Sequence, residues 1–409
     1  MRKYIITYLV AVFLSVGGTK AQNVIRSQKV RPRVFALDPD KLVKAKTQLA
    51  NRNVDLQAAL NKLRMDAERA LQVKPASVMD KTLTPPSGDK HDYMSFGPYW
   101  WPDPKKKDGL PYIRRDGEVN PEARTHTSDP PALGRIVEAV DTLALAYYFT
   151  GEEKYARHAA QLLRVWFLDP QTKMNPNLNF GQAIPGRTQG RGIGIIDTTR
   201  FIRIVDAVGL IQTSASWTAN DQKQMTAWFE GYLTWLRTSK LGKDEDRTKN
   251  NHATWYDAQV ASFALFVGND DLAKQVLEAV KKRRIDTQIE PDGRQRHELA
   301  RTKSFGYSVM NLNGFFTLAS LGERVGVDVW HYQSDDGRSI RKALDFLAPY
   351  ADRHRSWPYK QISTLNRSRL FSLLRRGAIA YENPGYETLS RKLPRSDIAA
   401  DRACLLYPR

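Results

Sequence analysis

From Ile136 onward the chain repeats one pattern that leaves few folds open. Ile136, Val140, Leu143 and Tyr147 fall on one face of a helix, Gly151 interrupts, and Tyr155, Ala159, Leu162 and Trp166 restore the same spacing. Apolar residues three or four apart around a glycine stop predict two antiparallel helices, an αα-hairpin. The pattern recurs. Helices are expected over Thr198–Ile211, from Thr218 through Leu236, from Asn250-Asn251-His252 to about Val267, and from Asp271 through Val280. Further helices are expected over Tyr307–Leu321, Ile340–Ala351 and Arg367–Tyr381. Thr218 with Asp221 three residues on reads as a capping box. Asp38–Leu71 adds one or two amphipathic helices on Leu42, Leu49, Leu56 and Leu60. No sustained alternation or hairpin dipeptide marks a strand, and no fixed-length repeat marks an ordinary solenoid. The expectation is an all-α array that can close on itself.

Two long stretches break the helical period. Asp92–Pro104 is rich in proline and aromatics and places Tyr99, Trp100 and Trp101 on an irregular loop, where flat rings suit the apolar faces of sugars. Met174–Gly192 is rich in Gly, Asn and Pro; its amides Asn177 and Gln182, with Arg187 and Arg191, are placed to meet an acidic polymer. For any one of these rings, packing beneath a loop is as good an account as binding.

Two shorter stretches carry chemistry. Arg247–Tyr256 holds Asn250, Asn251, His252, Trp255 and Tyr256 at the start of a helix, and Glu298–Tyr307 puts Arg301 six positions before Tyr307. An amide and a guanidinium can hold a carboxylate while a phenol and an imidazole move a proton beside it. The plain alternatives are an N-cap for the paired asparagines and core packing for the rings. Trp357 and Tyr359 form a later aromatic pair. Metal-ligand spacing is absent, and nothing in the sequence demands a metal ion or cofactor.

The first residues read as a secretory signal: Arg2 and Lys3, an apolar run Tyr4–Val16, then Thr19-Lys20-Ala21 as a cleavage site. That run is short for a membrane span, and the lone cysteine, Cys404, excludes both lipoprotein anchoring and an internal disulfide. Residues 22–409 are then expected to form one domain in the periplasm or outside the cell, with an extended leader to about residue 35. The formal charge is +19, and losing Arg2, Lys3 and Lys20 with the signal leaves +16. Such a surplus attracts polyanions; for an exported chain without a nucleic-acid motif, acidic polysaccharide is the expected partner. The sequence leaves the oligomeric state open.

Taken together, Tyr99-Trp-Trp-Pro-Asp-Pro104, Asn175–Asn179 with Gly190–Asp197, Asn250-Asn-His252 and Glu298–Tyr307 resemble the alginate-lyase-like polysaccharide lyases of the α/α-toroid class, which include mannuronan and glucuronan lyases. The resemblance covers roughly residues 92 to 360. It implies an incomplete (α/α) toroid of about seven helical hairpins with the cleft across its mouth. It also implies that Asn251, His252, Arg301 and Tyr307 are the catalytic residues of a lyase that cuts β-1,4-linked polyuronate by β-elimination. In the best-known alginate lyases of this fold the arginine lies seven residues before the tyrosine and a histidine follows it; here the separation is six and Ser308 follows. That spacing looks more like the glucuronan/alginate branch. On the chemistry, Tyr307 serves as proton carrier, with a pKa lowered by Arg301 or a charged His252. Two other classes stay open. A toroidal glycoside hydrolase would need a carboxylate pair, from Asp129, Asp197 or Glu298, and a glycan-binding protein would need no reactive tyrosine.

Overall fold

A computed structural model describes residues 31–409, so the signal segment lies outside the described residues. The helices predicted by periodicity are present. Asp38–Leu71 resolves into α1 (Pro39–Ala50), capped by the Asp38 carboxylate, and α2 (Val54–Ala70). The αα-hairpin is α3 (Pro130–Thr150) and α4 (Glu153–Leu163), and Gly151 closes α3 at φ 74°, a left-handed conformation that glycine adopts without strain.

Next come α5 (Phe201–Ile211), α6 (Ala219–Thr238), the short α7 (Lys240–Asp246), α8 (Asn251–Phe266) and α9 (Asp270–Val280). The capping box at Thr218 and Asp221 forms as the sequence predicts. After a short α10 (Arg296–Leu299) follow α11 (Ser304–Gly322), α12 (Ile340–Leu347), α13 (Leu370–Ala380), α14 (Pro384–Ser390) and α15 (Ala403–Leu406). The helix expected over Thr198–Ile211 begins later, because Gly192–Thr198 winds as 3₁₀ turns.

Burial sorts these helices into two layers. In α5, α8 and α11 nearly every residue is buried, polar ones such as Asp206, Asp257 and Asn311 included, as expected of a helix enclosed between neighbours. They pack in the order α3, α5, α8, α11 and α13, forming the inner layer. The one-sided helices α2 and α4 lie outside α3, α6 and α9 outside α8, α12 outside α11, and α14 outside α13. Between α13 and α2 the four-residue α15 bridges the gap, touching α1, α2 and α13. The result is an incomplete α/α toroid.

An aromatic cluster locks α5, α6 and α8 together: Phe201 meets Trp228 edge-on at 5.8 Å, and Phe229 sits 4.9 Å from Phe263. Such pairs add about 0.5–1.5 kcal/mol each beyond simple burial. On α5, the buried Asp206 carboxylate accepts the amides of Phe35 and Leu37 (2.6 and 2.8 Å), tying the extended start of the described chain to the inner layer. Burial raises its pKa to about 7, against the lowering effect of those amides.

Strands are confined, among the described residues, to two small pairs that hold the cleft loops. β1 (Met94–Phe96) runs parallel to β4 (Phe180–Ala183), and β2 (Trp100–Trp101) pairs antiparallel with β3 (Ile113–Arg114). Two to four residues are too few to show alternation, which is why the sequence read these stretches as irregular. Gln182, at the end of β4, has φ 49°, a left-handed backbone rare for a side chain of its size. Outliers of this kind gather at sites where the surroundings hold them in place.

Candidate active site

Asn250 caps α8: its side-chain oxygen faces the His252 amide at 3.4 Å. The capping role therefore belongs to Asn250, leaving Asn251 and His252 on the first turn free for other partners. Asn251 is buried, and its backbone N–H and Nδ2 donate to the two oxygens of Glu298 at 2.6 and 2.8 Å. One hydrogen of that amide remains to point into the cleft. Burial pushes the Glu298 carboxyl up, and the Asn251 hydrogen bonds partly offset this. Behind His252, Nδ1 lies 2.8 Å from Oε1 of Glu245 on α7. Glu245 is 1 % exposed and its other oxygen has no hydrogen-bond partner, so the contact with His252 fixes the ring and turns Nε2 outward. Burial raises the Glu245 pKa, with His252 acting in the opposite direction.

Arg301 follows α10, and Tyr307 lies on the first turn of α11. Nη2 of Arg301 donates to the Tyr307 hydroxyl at 2.8 Å, and its guanidinium sits 3.9 Å from the centre of that ring. The guanidinium is anchored by Asp116, which accepts from Nη2 at 2.7 Å and from Nε at 3.2 Å. Burial alone would raise the Asp116 pKa, but hydrogen bonds from Arg301 and Thr302 win and hold it well below the usual carboxylate range. Tyr99 completes the group, its hydroxyl 2.7 Å from that of Tyr307. The expected lowering of the Tyr307 pKa is not what this environment produces. Burial raises it, Tyr99 raises it further, and Arg301 opposes both without prevailing.

Asn251, His252, Arg301, Tyr307, Tyr99, Trp100 and Gln182 all line one cavity of about 580 Å³. Arg191 lines it too, donating to the backbone and side-chain oxygens of Gln182 (both 2.9 Å), while the guanidinium carbons of Arg187 and Arg191 lie 5.3 and 5.8 Å from the Trp100 ring. Gly97 makes this stack possible, since a Cβ there would stand 2.6 Å from the Trp100 ring and 2.7 Å from Arg191.

The other sequence candidates lie elsewhere. Trp101 donates to the Glu118 carbonyl, Asn177 to Asp92, and Arg187 to the Tyr112 carbonyl, all outside the cavity lining. Trp255 faces a separate cavity of about 360 Å³, and Tyr256 is buried with its hydroxyl on the Leu236 carbonyl. Trp357 packs on Phe305 and Tyr350 and donates to Ser304, with Tyr359 beside it.

Sequence reasoning missed Asp116, Glu245, Arg114, Arg124 and Arg200. Asp116 lies 185 residues from Arg301, so no local pattern could join them. Glu245 sits only seven residues before His252, yet a charge run at a helix end gave no reason to single it out.

Each of the three carboxylates that the sequence offered to a hydrolase has protein partners. Asp129 is buried beside Lys81 (3.3 Å) and accepts the Met94 amide (2.7 Å). Asp197 accepts from Tyr93, Ser95 and Gln182, and Glu298 holds Asn251. The cavity instead gathers hydrogen-bond donors around a phenol, an arrangement suited to holding an anion and transferring a proton next to it.

Comparison with known proteins agrees. The family model for alginate lyase matches residues 77–357. An alginate lyase from Bacteroides ovatus shares 44 % identity, with 92 % of this chain and 99 % of that one aligned at a TM-score of 0.88. Two structures of alginate lyase A1-III, a histidine-to-alanine and a tyrosine-to-phenylalanine variant each complexed with a tetrasaccharide, share the fold at 15 and 17 % identity. They align over 93 and 94 % of this chain and 98 % of theirs, with TM-scores of 0.58 and 0.55. No curated protein matches the chain. The match of the family model over most of the chain and the 44 % identity over nearly its whole length establish that this polysaccharide lyase belongs to the alginate lyase family.

Proposed function

We propose that this lyase is exported and cuts β-1,4-linked polyuronate, mannuronan or glucuronan, by syn β-elimination, leaving 4,5-unsaturated uronate ends. One observation carries the reading: the Tyr307 hydroxyl stands within hydrogen-bond reach of Arg301 in the cavity that Asn251 and His252 also line. The C5 proton of a uronate is weakly acidic because the charged carboxylate resists further negative charge. Donors that neutralise it stabilise the dianion that develops. The remaining N–H of Asn251, the free donors of Arg301 and Nε2 of His252 would supply them. Tyr307, as phenolate, takes the C5 proton. The electron pair of that C–H bond becomes the C4–C5 double bond, the C4–O bond breaks, and the proton passes from Tyr307 to the departing O4. The residue ends as it began.

In mannuronate and glucuronate the C5 hydrogen and the C4 oxygen share a face, so one tyrosine can serve both steps. Guluronate inverts C5 and needs a base on the opposite face, a role only His252 could fill. Mannuronan or glucuronan is therefore expected to be cut much faster than guluronan. A panel of mannuronan, guluronan, glucuronan and hyaluronan, read by near-ultraviolet absorbance of the conjugated product and by product size, checks this. A preference for pure guluronan would move the base role to His252.

Export rests on the Arg2–Ala21 pattern. Ala21 is expected to precede the first residue of the mature protein, which sequencing of the exported chain would show.

The raised Tyr307 pKa sets the pH dependence. Only the deprotonated phenol can accept the C5 proton, so raising its pKa lowers the reactive fraction at neutral pH. The logarithm of kcat/KM is expected to climb from about pH 7 to 9 with no plateau below the ordinary tyrosine value of about 10. A rate flat across that range would remove the phenolate from the mechanism.

A further inference from the structure

The cavity around Tyr307 does not end at α3. Pro130, Gly134 and Arg200 line it and also line a second groove, of about 660 Å³, that continues along α3 past Arg69, Arg135, Glu138 and Arg402. Gly134 forms the low point between the two spaces. The Arg200 guanidinium lies 3.4 Å from where a Cβ of Gly134 would stand, so that side chain reaches α3 at this point.

The charges along this path are unequal. Within the cavity, Arg301 and Arg114 pair with Asp116, and Arg191 is bound to Gln182. In the groove, Asp66 is paired with Lys62 and Arg69, and Glu138 with Arg203 and Arg402. Arg124, Arg200 and Arg135 are exposed, and none of them has a carboxylate partner among the described residues. The acidic groups of the groove are thus matched by other cations, and three unmatched guanidinium groups remain along the route out of the reaction cavity.

We propose that these arginines form an outer binding track for the same polyuronate, the chain leaving the reaction cavity over Gly134 and laying the carboxylates of its distal sugars on Arg200 and Arg135. The track rests on the lyase reading for its ligand. A polymer with one carboxylate per sugar presents charges at regular intervals, which suits guanidinium groups spaced along a groove. Arg135 lines the groove and not the cavity, so a short oligosaccharide held in the cavity is expected not to reach it.

The test separates binding from turnover by using the Tyr307→Phe protein as a non-cleaving receptor. Affinity is measured for a long polyuronate and for its tetrasaccharide, with and without Arg200→Ala and Arg135→Ala. Each substitution is expected to weaken long-chain binding about three- to fivefold, the pair together more than tenfold. Arg135→Ala should move tetrasaccharide binding less than twofold. Gly134→Leu, which fills the low point without removing charge, should erase the preference for the longer chain. Equal effects of Arg135→Ala on long and short ligands, or no effect of either substitution on the long one, would overturn the track. If the unmodified protein yields no unsaturated ends from any uronate polymer, the lyase reading falls; the affinities still decide the track, because they need no turnover.

Discussion

Replacing Tyr307 with Phe is expected to lower turnover by at least about a thousandfold while leaving polymer binding within a few-fold of the unmodified protein. The phenyl ring is kept, so its contact with the Arg301 guanidinium and its place on α11 persist. The hydroxyl alone is lost, and with it the atom to which the proposed mechanism assigns both proton transfers. Its two neighbours, Arg301 Nη2 and the Tyr99 hydroxyl, stay exposed enough to the cavity to find water, so folding should survive. Thermal unfolding, polymer affinity and initial rates on mannuronan and glucuronan check the three parts separately. A rate within a few-fold of the unmodified protein would return Tyr307 to a packing role.

Arg301→Ala is expected to lower kcat about a hundred- to a thousandfold and to raise KM far less. Its guanidinium stands beside the phenol and faces the cavity where the carboxylate would lie, so its contribution grows as charge develops on the substrate. The substitution also leaves Asp116 without the partner that holds its pKa down. Arg301→Lys tests the geometry: a single ammonium cannot bond Asp116 through two nitrogens and also reach Tyr307, so it should restore little. A pure rise in KM with turnover intact would show that Arg301 only grips the polymer.

The sequence disclosed the helices well because their signals are local. Gly151, the Thr218–Asp221 box and the Asn250 cap act within a turn or two, and each appears in the structure where the pattern puts it. It also named the four residues that meet in the cavity, since Asn251-His252 and Arg301…Tyr307 sit on two short stretches. Aromatic side chains were harder to place. Trp100 in the cleft and the half-buried Trp357 packed on Phe305 look alike in a string of letters, because a ring on an irregular loop serves either setting. Supporting carboxylates were nearly invisible. Asp116 and Glu298 act through contacts between stretches 185 and 47 residues apart, and Glu245, though only seven residues from His252, sits in an ordinary charge run; only Glu298 lies in a stretch already under suspicion.

The hydroxyl-to-hydroxyl contact between Tyr99 and Tyr307 has a consequence for how a sugar enters. The Tyr307 phenol already bonds an oxygen that, like O4 of a uronate, is borne on carbon. An arriving sugar that takes the place of Tyr99 exchanges one O–H···O bond for another of the same kind. The phenol then keeps an oxygen partner throughout the exchange and gives up no hydrogen bond on the way. Tyr99 thus stands as a placeholder, holding the Tyr307 hydroxyl in a bonded position that a sugar oxygen would take over.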